Sequence, residues 1–154
     1  MAASPLSEYS GVEPAAIRLA AMNLLARREH SLGELRRKLG RRFSDTGQVE
    51  EQLQRLVQDR LQSDERFAES FLRQRIERGH GPLRIREELR QRSVDDDTIQ
   101  QAFSQTEVDW QEMAQAVLER KFGRDAAPDF HGRARRARFL QYRGFRPEHF
   151  RQLI

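Results

Sequence analysis

The sequence predicts an all-α protein, an elongated tandem array of three three-helix repeats, and three observations lead there. The chain resembles itself at a spacing near 50 residues, which sets Ile17 on Phe67, Ala21 on Phe71, Leu35 on Ile85, Leu39 on Leu89, Val49 on Ile99 and Leu53 on Phe103. A further shift of 51 sets Leu89 on Leu140, Val94 on Phe145, Ile99 on Phe150 and Phe103 on Ile154. Matches at spaced, mostly apolar positions are the behaviour of core residues rather than of biased composition. Within each repeat the apolar residues recur with the helical period, as in Trp110, Met113, Ala114, Val117 and Leu118. Finally, no stretch between turn signals shows the two-residue alternation of a strand.

The elements follow in order. Residues 1–13, with Ser, Gly and Pro among few large apolar groups, read as a flexible N-terminal tail. The three repeats then span 14–63, 64–106 and 107–154. Ile17, Ala20, Ala21, Leu24 and Leu25 share one face of a first helix whose opening turn suits Pro14. Its counterpart carries Phe67, Ala68, Phe71, Leu72 and Ile76 and stops at Gly79 and Gly81. Second helices are expected at Ser31, where Ser31 and Glu34 make an S-x-x-E capping box, at Gly81-Pro82, and near Gly132. Third helices are expected near Thr46, near Asp95–Asp97 and at Pro147. Gly123–Gly132 reads as an inter-helix loop. Each unit buries little apolar surface alone, so neighbours stabilise one another. Helices roughly 10 Å across, three bundles in line, give a rod of about 60–70 Å.

Composition narrows the function. Apolar residues make up 37% and charged residues 34% of the 154 positions, no apolar run approaches a membrane span, and the first residues lack a signal-peptide pattern. A cytoplasmic protein without a membrane partner is expected. There is no cysteine, hence no disulfide framework or thiolate chemistry. Of the 28 basic residues all but Lys38 and Lys121 are Arg. Guanidinium is planar, permanently charged and shaped for phosphate and carboxylate, so this bias points to an acidic partner; a G- and C-rich genome would produce the same bias without function. The charge is uneven: net +2 over residues 1–63, −1 over 64–106 and +3 over 107–154. Such mixed charge suits a partner that is part protein and part nucleic acid.

No catalytic constellation is apparent, and no metal or cofactor is expected. His30, His80, His131 and His149 form no H-x-x-x-H pair. His30 and His80 occupy equivalent places at a helix end, where a charged His would favour the negative end of the dipole. Asp95-Asp96-Asp97 precedes Thr98 and Ile99 as an N-cap does. Gly79-His80-Gly81-Pro82 lacks the Lys-Ser/Thr of a phosphate loop. Basic second helices remain. Arg86 and Arg90 turn from a core face anchored by Ile85 and Leu89, while Arg42, Arg92 and Arg143 recur at one repeat position. Few exposed aromatic residues are expected, which argues against base stacking as the main grip.

The run Asp64-Glu65-Arg66-Phe67-Ala68, then Phe71, Arg73, Arg75, Gly79, and Gly81-Pro82-Leu83-Arg84-Ile85 with Glu88-Leu89, resembles the central signature of the RecX family. The helix of Ala20–Leu25, Leu32/Leu35/Leu39, and Arg138-Phe139-Leu140 with Arg143-Gly144-Phe145 fit the same pattern, so the resemblance covers residues 14–154. Two departures are Ser93, where a Gly is more usual, and Arg136, where the other units have Leu35 and Ile85. The resemblance implies a non-enzymatic regulator that binds the RecA–DNA filament and mainly inhibits the recombinase and ATPase activities of RecA, in recombination, DNA repair and the SOS response. It implies as partners RecA and single- and double-stranded DNA; the sequence does not indicate self-association, so a monomer is the default state. Arg73, Arg75, Arg78, Arg84, Arg86 and Arg90 in unit two and Arg133, Arg135, Arg136 and Arg138 in unit three are the candidate RecA- or DNA-binding residues. The alternative is a stand-alone DNA-binding protein acting on recombination through phosphate contacts.

Overall fold

A computed structural model of the chain describes residues 12–154, and these contain helices and no strand. Residues 1–11 of the expected tail lie outside the described residues, whereas Val12 and Glu13 already belong to the first helix. In chain order the helices are α1 (Val12–Arg27), α2 (Leu32–Arg42), α3 (Thr46–Gln58), α4 (Asp64–Glu77), α5 (Pro82–Gln91), α6 (Asp96–Ser104), α7 (Trp110–Phe122), α8 (Phe130–Tyr142) and α9 (Pro147–Phe150), closed by a 3-10 turn, Arg151–Leu153. They group as units one (α1–α3), two (α4–α6) and three (α7–α9).

Starts and stops follow the local chemistry. Ser31 Oγ accepts from Glu34 N at 3.0 Å while Ser31 N donates to the Glu34 carboxylate at 3.1 Å, so the capping box forms as expected. Asp45, Ser63, Asp95, Asp109 and Asp129 cap α3, α4, α6, α7 and α8, each side chain accepting from the backbone N–H three residues on. Helix α8 therefore starts two residues before Gly132, because Asp129 accepts from Gly132 N at 2.7 Å. Helices α5 and α8 end alike. Val94 N reaches Leu89 O at 3.1 Å and Phe145 N reaches Leu140 O at 3.0 Å, across Ser93 at φ 64° and Gly144 at φ 98°. The unusual Ser93 thus occupies a left-handed turn that glycine fills in the next unit.

Each unit closes its own core. Ile17, Ala21, Leu35, Leu39, Leu53 and Leu56 fill the first; Phe67, Leu72, Ile85, Leu89 and Ile99 the second; Ala114, Leu118, Leu140, Phe145 and Phe150 the third. Trp110 packs against both the second and third cores. The array is elongated because three separate interiors lie in line rather than around one centre. Arg136 leaves its core position and lies over the Phe122 ring at 5.2 Å, donating to Asp125 O at 2.9 Å, while Ala137 packs against the third core in its place.

The same joint appears twice, held through side chains at the first and through backbone hydrogen bonds at the second. The start of a second helix meets the left-handed turn of the next unit. At the first joint Ser31 Oγ donates to Arg92 O at 2.8 Å, and a Cβ on Gly33 would lie 2.6 Å from that of Ser93. At the second, Gly81 N donates to Arg143 O at 2.7 Å and Leu83 N to Gly144 O at 3.0 Å. A Cβ on Gly81 would stand 2.3 Å from the Gly144 carbonyl carbon. Polar side chains seal the first joint further: Asp64 Oδ1 accepts from Leu32 N and from Gln62, and Gln62 donates to His30 O.

Two substitutions should therefore move stability in opposite directions. Gly81→Ala should cost about 1–3 kcal/mol by forcing backbone against backbone. Ser93→Gly should stabilise by about 1 kcal/mol by removing the cost of a side chain at positive φ. Urea-unfolding midpoints at neutral pH check both.

Candidate functional site

The arginine candidates divide by what the fold already asks of them. Glu88 on α5 gathers two guanidinium groups and an imidazole: Arg75 Nε at 2.9 Å, Arg84 Nε at 2.9 Å and His80 Nδ1 at 3.4 Å. The His80 contact lacks hydrogen-bond geometry, so it is a charge–ring approach rather than a bond. Arg75 also stacks on Phe71, with its guanidinium carbon 4.5 Å from the ring centroid, and Arg92 stacks there at 4.7 Å. Burial pulls Arg75 below the ordinary guanidinium value against the opposing pull of Glu88. Arg75 is thus a structural cation.

Arg86 lies 4.1 Å over Phe103 and donates to Gln100 at 3.2 Å, while its buried Nε has no partner. Burial is again the main reason its pKa falls. Arg90 holds Asp96 at 2.9 Å and Glu87 at 3.7 Å. The pair expected to point outward together is therefore exposed in part but occupied. Arg73 and Arg78 are exposed, and neither makes an ion pair among the described residues.

Unit three presents its cations differently. Arg133, Arg135, Arg136 and Arg138 on α8 make no ion pair among the described residues. Arg135 lies over Phe122 at 5.6 Å, and Arg138 and Arg133 are exposed. Spaced by helical turns, His131, Arg135, Arg138 and Tyr142 share the outer face of α8, opposite the buried Leu140. Tyr142 is 75% exposed and Phe130, at the head of the helix, 70%. Exposed aromatics are few among the described residues, as expected, but these two both stand on the cation-bearing helix. Both rings fall where the core spacing of α8 leaves them outside. Arg84 of unit two reaches over the Tyr142 ring at 5.5 Å and links the two units' surfaces. Nearby, Arg78, Arg120, Lys121 and Arg143 surround a cavity of about 140 Å³ beside Phe139, with no carboxylate in its lining. Arg120 and Lys121 were not singled out by sequence, because they read as ordinary last-turn cations on α7.

Buried histidines are neutral rather than dipole-binding cations. His30 Nδ1 donates to Arg28 O at 3.1 Å, and its Nε2 accepts from Lys38 Nζ at 3.0 Å, which requires an unprotonated nitrogen. Burial lowers the His30 pKa below 6.5, and it does the same for His80, where Arg84 adds to the effect. The helix-end charge expected of these positions is outweighed by desolvation. Asp95 caps α6 as expected, accepting from Thr98 N at 2.7 Å. No group of three potential metal ligands occurs among the described residues, and no described helix is long and apolar enough to cross a membrane.

Comparison with known proteins places this geometry. Residues 63–102 match the family model described as RecX, second three-helix domain, and residues 107–154 the model described as RecX, third three-helix domain. The chain belongs to the RecX family. A regulatory protein RecX from Halorhodospira halophila is 47% identical over 142 residues, covering 92% of this chain and 88% of the relative. Another, from Pseudomonas entomophila, is 45% identical over 141 residues, covering 92% and 91%. A crystal structure of RecX from Lactobacillus salivarius superposes with a TM-score of 0.76 at 20% identity, covering 92% of this chain and 94% of that one. A second RecX crystal structure gives 0.80 at 20% identity, covering 99% and 78%. The RecX fold is therefore shared where fewer than a quarter of the residues are.

The neutral histidines give stability a pH dependence. Unfolded, both titrate near 6.5; folded, both titrate lower, so in that window the unfolded chain binds more protons. Stability should fall as pH drops from about 7 to about 5. In urea titrations His30→Gln together with His80→Gln should flatten this decline.

Proposed function

We propose that this protein regulates RecA by binding the RecA–DNA filament, and that it mainly restrains filament growth and the ATPase and strand-exchange activities of RecA. It acts without a catalytic step of its own, in the cytoplasm, as a monomer, in recombination, DNA repair and the SOS response. The observation that carries this reading is the membership in a family of regulatory proteins, joined to the row of unpaired guanidinium groups on α8. A helical array with cations and rings along one outer face suits a long acidic polymer better than a small substrate. In this reading Arg133, Arg135 and Arg138 meet phosphate or RecA carboxylates. Arg73 and Arg78 are available for the same role, and Arg136 adds its charge from the flank. Arg75, Arg84, Arg86 and Arg90 shape the surface around them, since Arg75, Arg84 and Arg90 are ion-paired and Arg86 is held over Phe103.

The exposed Phe130 and Tyr142 favour a second reading, a stand-alone grip on single-stranded DNA through stacking and phosphate contacts. The two readings separate on bare DNA. A filament regulator binds RecA-coated strands far more tightly than naked ones. A DNA-binding protein binds both, with affinity falling steeply as salt rises.

Arg135→Glu with Arg138→Glu, both on the exposed face of α8, should raise the concentration needed to inhibit the DNA-dependent ATPase of RecA by about tenfold, roughly 1.4 kcal/mol of lost contact. Unfolding should stay cooperative. Unchanged inhibition by the folded double variant removes this face from the interface.

A further inference from the structure

We propose that unit one carries a docking groove for an acidic peptide segment of a protein partner, a site separate from the face of α8. The groove runs between α1 and α2 and encloses about 300 Å³. Ala20, Leu24 and Leu39 make its floor, and Arg27, Lys38 and Arg42 its rim. Among the described residues no carboxylate pairs with any of the three cations.

The repeat explains why the space is open. In unit two the residue equivalent to Ala21 is Phe71, whose ring is covered by Arg75 and Arg92. The equivalents of Arg27 and Lys38 are Glu77 and Glu88, and Glu88 neutralises its neighbours. Unit two thus fills and discharges its own groove. Unit one has a methyl where unit two has a ring, and two cations where unit two has two carboxylates. Lys38 Nζ donates to Nε2 of the neutral His30 at 3.0 Å and Arg42 lies over Phe43 at 5.4 Å, so neither contact brings a negative charge to the rim.

The chemistry selects the occupant. Three cations around an aliphatic floor match carboxylates flanked by an aliphatic side chain, which a peptide supplies and a sugar–phosphate backbone does not. Face α8, by contrast, sets its cations among aromatic rings. The inference rests on the geometry of unit one alone and stands apart from the filament reading.

The full chain titrated against a short fluorescein-labelled peptide of alternating Glu and Leu, followed by anisotropy, tests it. Binding is expected to the acidic peptide and not to its Gln–Leu counterpart. Arg27→Glu with Lys38→Glu, which gives unit one the carboxylates of unit two, should weaken binding by about tenfold or more. Arg135→Glu with Arg138→Glu should leave it unchanged. Should the first pair fail to fold by circular dichroism, Arg27→Gln at its exposed position should still weaken binding about threefold. Equal affinity for the two peptides, or full binding by the folded groove variants, overturns the proposal. So does an oligothymidylate that displaces the peptide and loses affinity in the same variants, since the groove would then be a nucleic-acid contact.

Discussion

The units of this molecule meet at one kind of joint used twice, with a close approach of chain to chain at each. The first turn of a second helix lends its N–H or hydroxyl groups to the carbonyls of the following unit's left-handed turn. Free N–H groups at a helix start and free carbonyls past a helix end are each costly to bury; the second joint satisfies both at once, and the first satisfies the Arg92 carbonyl with the Ser31 hydroxyl. It also demands close approach, and glycine at 33, 81 and 144 permits it. Each bundle is therefore held to the next by a few groups at the joint, which leaves side chains on the outer faces free to vary.

That freedom was used differently in the three units. Unit two, Arg73 and Arg78 apart, spends its arginines internally: Glu88 holds Arg75 and Arg84, Arg90 holds Asp96, and Phe71 and Phe103 carry stacked guanidinium groups. Units one and three leave cations unpaired on open faces. A repeat usually suggests repeated function. Here the repetition lies in the core and the joints, while the surface chemistry is unit-specific.

The three bundles were readable from sequence because core positions recur with fixed spacing and because Ser31, Asp95 and Gly81-Pro82 carry strong helix-start chemistry. Ser93 stood out as an odd residue, and the positive φ at that position is the physical reason. Side-chain charge was less legible. Arg86 and Arg138 look alike in a wheel projection, yet one lies on Phe103 beside Gln100 and the other reaches solvent. Helical periodicity gives direction, but it does not say whether the neighbouring helix offers a ring or a carboxylate. Tyr142 and Phe130 were missed for a related reason: aromatic residues are read as core by default, and only the register of α8 against α7 turns them outward.

Trp110 is the one tryptophan in the chain, and it sits between Phe103 of the second bundle and His149 of the third. Its indole therefore senses the seam between them. Intrinsic emission, excited selectively at long wavelength, becomes a label-free gauge of whether those two bundles stay together while the protein is at work.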